Sequence, residues 1–170
     1  VDFGGASCAA LIPEFDNLLV VQTLSKSRSL AGLRIGYAMG STSLIEGLNR
    51  IKNSFNSYPL SKVQVSAAVA SFNDRTHFKN IIQKVVASRQ MLTRELGVLD
   101  FKVVPSMANF LLVTHPKFAA RFLFEVLREK GILVRHFDRP KIDSFLRITV
   151  GNEEQNRVLV ESLASIVKSN

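Results

Sequence analysis

A long amphipathic stretch in the middle of the chain limits what the rest can fold into. Ser61 is a suitable N-cap, and from there to about Leu96 apolar side chains recur at helical spacing. The pair Asn73 and Asp74 favours a break, which would give two helices rather than one. Gly97 is predicted to end the stretch as its C′ residue. We therefore expect two lobes joined by a helical segment.

The segments on either side predict short strands and helices. Residues 18–24 are apolar and β-branched, which is typical of a buried strand, residues 34–38 predict a second strand, and residues 43–52 a short helix. After the stretch, the pattern predicts a compact α+β unit. Its strands are expected at 101–104, 109–114, 132–135 and 145–150. One helix is expected from Pro116 to about Lys130, where Gly131 would end it. A second is expected after Asn152, which would form a capping box with Gln155.

Composition excludes some classes of protein. The chain has 170 residues, 46% of them hydrophobic, which is typical of a globular fold. No apolar run approaches the ~18 residues of a membrane span, so no membrane association is expected. The lone Cys8 allows no internal disulfide and fits a reducing, cytoplasmic compartment. The chain opens on Val1 rather than Met, and we expect it to be a piece of a longer protein.

The net charge of +8 raises the question of an anionic partner. The basic residues are spread along the sequence without a dense block or interleaved aromatic residues, so a nucleic-acid partner is not expected. Small anions such as phosphates and carboxylates are the alternative. The three histidines are far apart in sequence, and no metal site is expected. Phosphate-loop, dinucleotide-binding and serine-hydrolase motifs are not found in the sequence.

One segment, residues 23–38 with the sequence TLSKSRSLAGLRIGYA, combines groups that suit an aldehyde cofactor bearing a phosphate. Lys26 directly follows a predicted buried strand, where it can be held rigidly and partly desolvated. Desolvation favours the neutral amine, which is the form that condenses with an aldehyde. The alternative for an isolated Ser-Lys pair is a solvated lysine in a polar turn.

The same segment offers ligands for a phosphate. The hydroxyls of Thr23 and Ser25 and the guanidinium of Arg34 can converge on one anion, since arginine donates two parallel hydrogen bonds. Gly32 and Gly36 would let the backbone turn tightly around it.

These residues resemble the lysine region of the fold-type I aminotransferases that use pyridoxal phosphate (PLP), in the histidinol-phosphate aminotransferase subgroup. Three more segments carry the resemblance, which covers essentially the whole chain. They are NSYPLS at 56–61, PSMANFLL at 105–112 and FDRPKIDSFLRITVG at 137–151.

The resemblance assigns roles to the cofactor-binding residues. Lys26 matches the lysine that forms the Schiff base with PLP and then moves a proton between the substrate and the cofactor. Thr23, Ser25 and Arg34 match the ligands of the cofactor phosphate.

The resemblance also assigns substrate-binding residues. Arg147 matches the arginine that binds the substrate carboxylate, and Arg135 a second arginine near the anionic end of the substrate. The alternative for both is a surface ion pair at a strand edge. Tyr58 and Asn109 lie in matching segments, where a packing or turn role is at least as plausible.

The fold that the resemblance implies is α/β and divides the chain into three parts. Residues 1–60 would be the C-terminal remnant of the PLP-binding large domain, 61–96 a long interdomain helix region, and 97–170 a small C-terminal α+β domain. In the family, the aspartate that pairs with the pyridine nitrogen and the ring that stacks on the cofactor precede the lysine. This chain has neither, so we expect it to bind PLP weakly and to be inactive by itself.

The implied function of the longer protein is transamination of histidinol phosphate with 2-oxoglutarate, a step of histidine biosynthesis, by a cytoplasmic homodimer. An aromatic amino acid aminotransferase and a threonine-phosphate decarboxylase are the alternatives within the enzyme class. A non-catalytic basic binding fragment is the alternative outside it.

Overall fold

A computed structural model describes residues 1–56 and 58–168, and it confirms an α/β chain. Its helices are α1 (Thr42–Phe55), α2 (Lys62–Asn73), α3 (Arg75–Val98), α4 (Ala120–Glu129) and α5 (Glu153–Lys168). Its strands are β1 (Val20–Thr23), β2 (Gly36–Met39), β3 (Lys102–Val104), β4 (Phe110–Thr114), β5 (Arg135–His136) and β6 (Leu146–Thr149). Within the described residues, no helix is long and apolar enough to cross a membrane.

The chain forms two compact units, and the division between them falls inside α3. The first unit is Val1–Ile81 and the second begins at Ile82. The predicted division at residues 60 and 96 concerns the domains of a longer protein and stays a prediction. Ser57, within the 56–61 motif, and residues 169–170 lie outside the described residues.

In the first unit, β1 and β2 pair antiparallel, with Thr23 opposite Gly36. The prediction of a buried strand is wrong for β1, because its side chains alternate between half-buried and exposed, and Val21 is 69% exposed. Successive side chains of a strand point to opposite faces, and only one face of this pair is covered. Gly36 is needed at this position because a Cβ there would lie 2.9 Å from the carbonyl oxygen of Gln22.

The amphipathic stretch is broken at Asp74, which confirms the two-helix alternative. Ser61 caps α2, accepting a hydrogen bond from the amide of Gln64, whose side chain bonds back to the amide of Ser61. Asp74 separates α2 from α3, and its carboxylate accepts a hydrogen bond from the amide of His77 at 3.0 Å.

The prediction that Gly97 ends the long helix is wrong, because α3 continues to Val98. Asp100 is the left-handed residue, with φ of 62°. The amide of Phe101 bonds to the carbonyl of Leu96 at 3.0 Å, and that of Asp100 to Gly97 at 3.1 Å, which is a Schellman motif. Leu96 and Phe101 are both buried, so packing in the core places the end of the helix.

The second unit contains a four-stranded antiparallel sheet within the described residues, with strand order β3-β4-β6-β5. The core of the unit is formed by one face of the sheet together with α3, α4 and α5. Its fully buried apolar side chains are those of Leu92, Leu96, Leu111, Val113, Leu123, Leu127, Leu146, Ile148 and Leu163.

The structure confirms some of the predicted helix ends in the second unit and corrects one of them. The capping box at Asn152 and Gln155 is confirmed, with hydrogen bonds of 3.0 and 2.8 Å. Gly131 closes α4 with φ of 76°, also as predicted. The predicted start at Pro116 is wrong, because α4 begins at Ala120. A turn precedes it, in which Nδ1 of buried His115 accepts a hydrogen bond from a backbone amide.

Candidate active site

A turn formed by residues 26–29, the lysine turn, follows β1 and is fixed by its backbone. The amide of Ser29 donates to the carbonyl of Lys26 at 3.0 Å. At its base, Leu24 is 2% exposed, and its amide bonds to the carbonyl of Ile35 at 3.1 Å. The amide of Leu30 returns to the carbonyl of Leu24 at 3.0 Å. The backbone that carries Lys26 is therefore held on both sides.

The side chain of Lys26 is exposed, so the predicted desolvation of its amine is wrong for this chain. The reason is the direction of the turn: neighbouring Ser27 is buried instead, and its hydroxyl donates to the carboxylate of Asp2. The role of Asp2 could not be predicted from the sequence, because Asp2 is 25 positions from Ser27 and gives no local signal. The result is an amine at the surface on a rigid backbone.

The hydroxyls of Thr23 and Ser25 lie together, as the sequence predicts. Their oxygen atoms are 2.8 Å apart, and the amide of Ser25 donates to Oγ1 of Thr23 at 3.2 Å. Oγ1 of Thr23 also lies 3.4 Å from the carbonyl oxygen of Ile35. Two hydroxyls and a backbone amide thus lie just before Lys26.

Arg34 takes the conformation that the sequence analysis assigned to glycine. It is left-handed, with φ of 54°, whereas a Cβ at Gly32 would meet open space. Its Nη1 donates to the carbonyl of Ala31 at 3.1 Å, so the guanidinium is held at its own turn. Arg34 directly precedes Ile35, whose carbonyl accepts the hydrogen bond from the amide of Leu24. The backbone of Arg34 therefore lies beside the start of the lysine turn.

The second unit brings Arg135 and Arg147 together. They are directly opposite in the antiparallel β5–β6 pair, both exposed. Their guanidinium carbons lie 5.5 and 5.7 Å from the ring centre of Phe137, and that of Arg147 is 5.4 Å from Phe110. Like charges that face each other across strands are destabilising, so an anion between them would be favoured.

The alternative of a surface ion pair is not found for these two arginines. In residues 1–56 and 58–168, the ion pairs join Arg121 to Glu125 and Arg157 to Glu161. Arg135 and Arg147 are instead exposed residues whose guanidinium groups contact the ring of Phe137.

The two further residues from the matching segments have backbone roles. The carbonyl of Asn109 accepts a hydrogen bond from the amide of Val150 at 2.9 Å, which extends the β4–β6 pairing. Tyr58 is 89% exposed, and its amide donates to the side chain of Asn56.

Comparison with known proteins identifies the family of this chain. The family model for aminotransferases of class I and II matches residues 2–163. This chain belongs to the class I and II aminotransferases. The segments that resemble the family in sequence lie within the matched residues.

Sequence identity to individual aminotransferases supports this assignment. The histidinol-phosphate aminotransferase of Acinetobacter baylyi is 53% identical over 163 residues, which is 96% of this chain and 45% of that protein. This chain thus spans about half the length of the curated relatives that it matches.

Solved aminotransferases share the fold. The histidinol-phosphate aminotransferase of Sinorhizobium meliloti, solved in complex with pyridoxal-5'-phosphate, has a TM-score of 0.78 and 27% identity, covering 91% of this chain and 42% of that one. That of Clostridium acetobutylicum has a TM-score of 0.83 and 20% identity over 96% of this chain and 50% of that one, which shows similarity of fold.

Proposed function

We propose that this chain is the C-terminal part of a PLP-dependent aminotransferase that acts on histidinol phosphate with 2-oxoglutarate as the amino acceptor. The observation that carries the proposal is the lysine turn, where Lys26 follows the paired hydroxyls of Thr23 and Ser25 on a fixed backbone. The relatives that are about 50% identical to this chain support histidinol phosphate as the substrate.

The residues present fit the cofactor in the chemistry of their donor groups. Thr23, Ser25 and Arg34 offer two hydroxyls and a guanidinium, which suit a phosphate, and Lys26 offers an exposed amine. When bound, PLP supplies an aldehyde and an electron-withdrawing ring. Nζ of Lys26 would move a proton between the reacting carbon of the substrate and the cofactor.

The arginine pair on β5 and β6 would bind the anionic ends of the substrates. Arg147 would take a carboxylate of 2-oxoglutarate and Arg135 a second anionic group, since a guanidinium matches the planar carboxylate and the phosphate. Both proposed substrates are anions, so the net positive charge of the chain would favour their binding.

The longer protein would be a cytoplasmic homodimer. Residues 1–60 would complete its large domain, 61–96 would join the domains, and 97–170 would form the small domain. Because this chain spans about half of its relatives, we propose that the rest of the cofactor site lies outside it and that the chain alone binds PLP weakly.

The proposal is tested by trapping the cofactor. The 170-residue chain is incubated with PLP, reduced with borohydride and mapped by peptide mass spectrometry. We expect pyridoxyllysine to accumulate at Lys26 above every other lysine, because the neighbouring hydroxyls bind the phosphate. Labelling that is spread evenly over the exposed lysines would contradict the proposal.

The arginine pair predicts a separate effect on stability. We expect the melting temperature to rise with added 2-oxoglutarate, because a ligand that binds only the folded state stabilises it. In Arg147→Gln this rise should be lost, while Arg128→Gln, which changes an exposed arginine of α4, should keep it. Equal stabilisation of the wild type and Arg147→Gln, measured by calorimetry at constant ionic strength, would argue against the assignment.

A further inference from the structure

Arg28 holds the lysine turn by a contact that neither the sequence pattern nor the family comparison assigns. Its guanidinium carbon lies 4.2 Å from the ring centre of Phe72 and 3.9 Å from that of Phe78. Its Nη1 also donates to the carbonyl of Ser71. All these residues belong to the first unit.

The contact joins the turn to the point where α2 ends and α3 begins. Phe72 lies in the last turn of α2 and Phe78 in the first turn of α3, on either side of the break at Asp74. Phe72 is held in turn by Tyr37 of β2, whose ring it meets edge-on at 5.8 Å. The rings that hold Arg28 thus belong to elements already placed by the fold.

The chemistry of this contact is specific to arginine. A planar guanidinium stacks on aromatic faces and keeps its N–H groups free to donate in the plane. Here its guanidinium carbon lies over both rings, and the group donates to a carbonyl at the C-terminal end of α2, where the helix dipole favours a cation. A lysine ammonium is not planar and cannot reproduce this arrangement.

We propose that Arg28 is the positioning residue of Lys26. The two residues share the lysine turn, whose closing bond runs from the amide of Ser29 to the carbonyl of Lys26. Anchoring of Arg28 between the rings holds the turn closed and fixes the direction from which the Lys26 amine meets an aldehyde. The inference rests on the proposed function, because it takes Lys26 as the residue that PLP modifies.

A role in stability alone makes a different prediction. If Arg28 only stabilised the first unit, its loss would lower the melting temperature, but Lys26 would react normally in the molecules that remain folded. A positioning role lowers the reactivity of Lys26 at temperatures where the chain is fully folded. The two roles are separated by measuring reaction and stability on the same samples.

The experiment measures the rate of borohydride-trapped pyridoxyllysine formation at Lys26, relative to Lys84 of α3 in the same molecules. It compares wild type, Arg28→Gln, Arg28→Lys and Arg50→Gln, the last an exposed arginine of α1. We expect the Lys26 rate to fall about tenfold in both Arg28 variants and to be unchanged in Arg50→Gln, because misplacement of a reacting group costs this much or more. Hydrogen exchange at the amide of Ser29 should accelerate in the same two variants.

Each result decides between the alternatives. A wild-type rate at Lys26 in folded Arg28→Gln would overturn the positioning role, as would full rescue by Arg28→Lys, which would make charge alone sufficient. If Arg28→Gln does not fold, Phe78→Leu removes one ring, and normal labelling of Lys26 in that variant would likewise overturn it. An absence of labelling at Lys26 in the wild type would overturn the proposed function itself, and this inference with it.

Discussion

Replacement of Lys26 by alanine is expected to reduce pyridoxyl labelling at the lysine turn to zero and total labelling of the chain by about tenfold at limiting PLP. The reason is that Lys26 is exposed on a fixed backbone beside the paired hydroxyls of Thr23 and Ser25. Lys84 of α3, by contrast, has no serine or threonine among the three residues before it. Whole-protein mass spectrometry after borohydride reduction measures the effect.

A matched control is Lys84→Ala, since Lys84 is an exposed lysine in the middle of α3. It should keep wild-type labelling, and both variants should melt with the wild type because neither side chain is part of a core. If Lys26→Ala and Lys84→Ala lose equal small fractions of the label, Lys26 is one surface amine among several, and the proposed cofactor site is wrong.

Leu127→Ala is expected to destabilise the second unit by about 3–5 kcal/mol. Leu127 is fully buried on α4, among side chains from the sheet and the other helices of the unit. Truncation removes apolar surface from the core and leaves a cavity that the surrounding strands cannot close. Urea unfolding, followed by circular dichroism, measures the change in the free energy of unfolding.

The control for this substitution is Leu133→Ala, which removes the same atoms from a side chain that is 81% exposed. Its effect should stay within about 0.5 kcal/mol, as is usual for surface positions. Similar losses in the two variants would mean that Leu127 does not belong to a close-packed core.

The sequence predicted those features of the fold that depend on neighbouring residues. The N-cap at Ser61 and the capping box at Asn152 were found as predicted, since each needs only residues three positions apart. The break at Asp74 and the closing glycine of α4 at 131 were predictable for the same reason.

Other predictions failed where packing decides the outcome. Gly97 has the residue type of a helix end, but burial of Leu96 and Phe101 carries α3 past it. The apolar run before Lys26 is typical of a buried strand, but β1 pairs in a sheet with only one covered face, so half of its side chains are exposed. Intrinsic preferences of this size are routinely overcome by tertiary contacts.

For the candidate site, the sequence by itself predicted that the hydroxyls of Thr23 and Ser25 lie together just before Lys26, because contacts between residues two positions apart follow from the local chain. Only the tertiary structure decided that Arg28 lies between two rings more than forty positions away, and that Arg135 faces Arg147. The physical reason is that strand register and helix packing are set by the burial of a whole face or core. No short stretch of sequence carries that information.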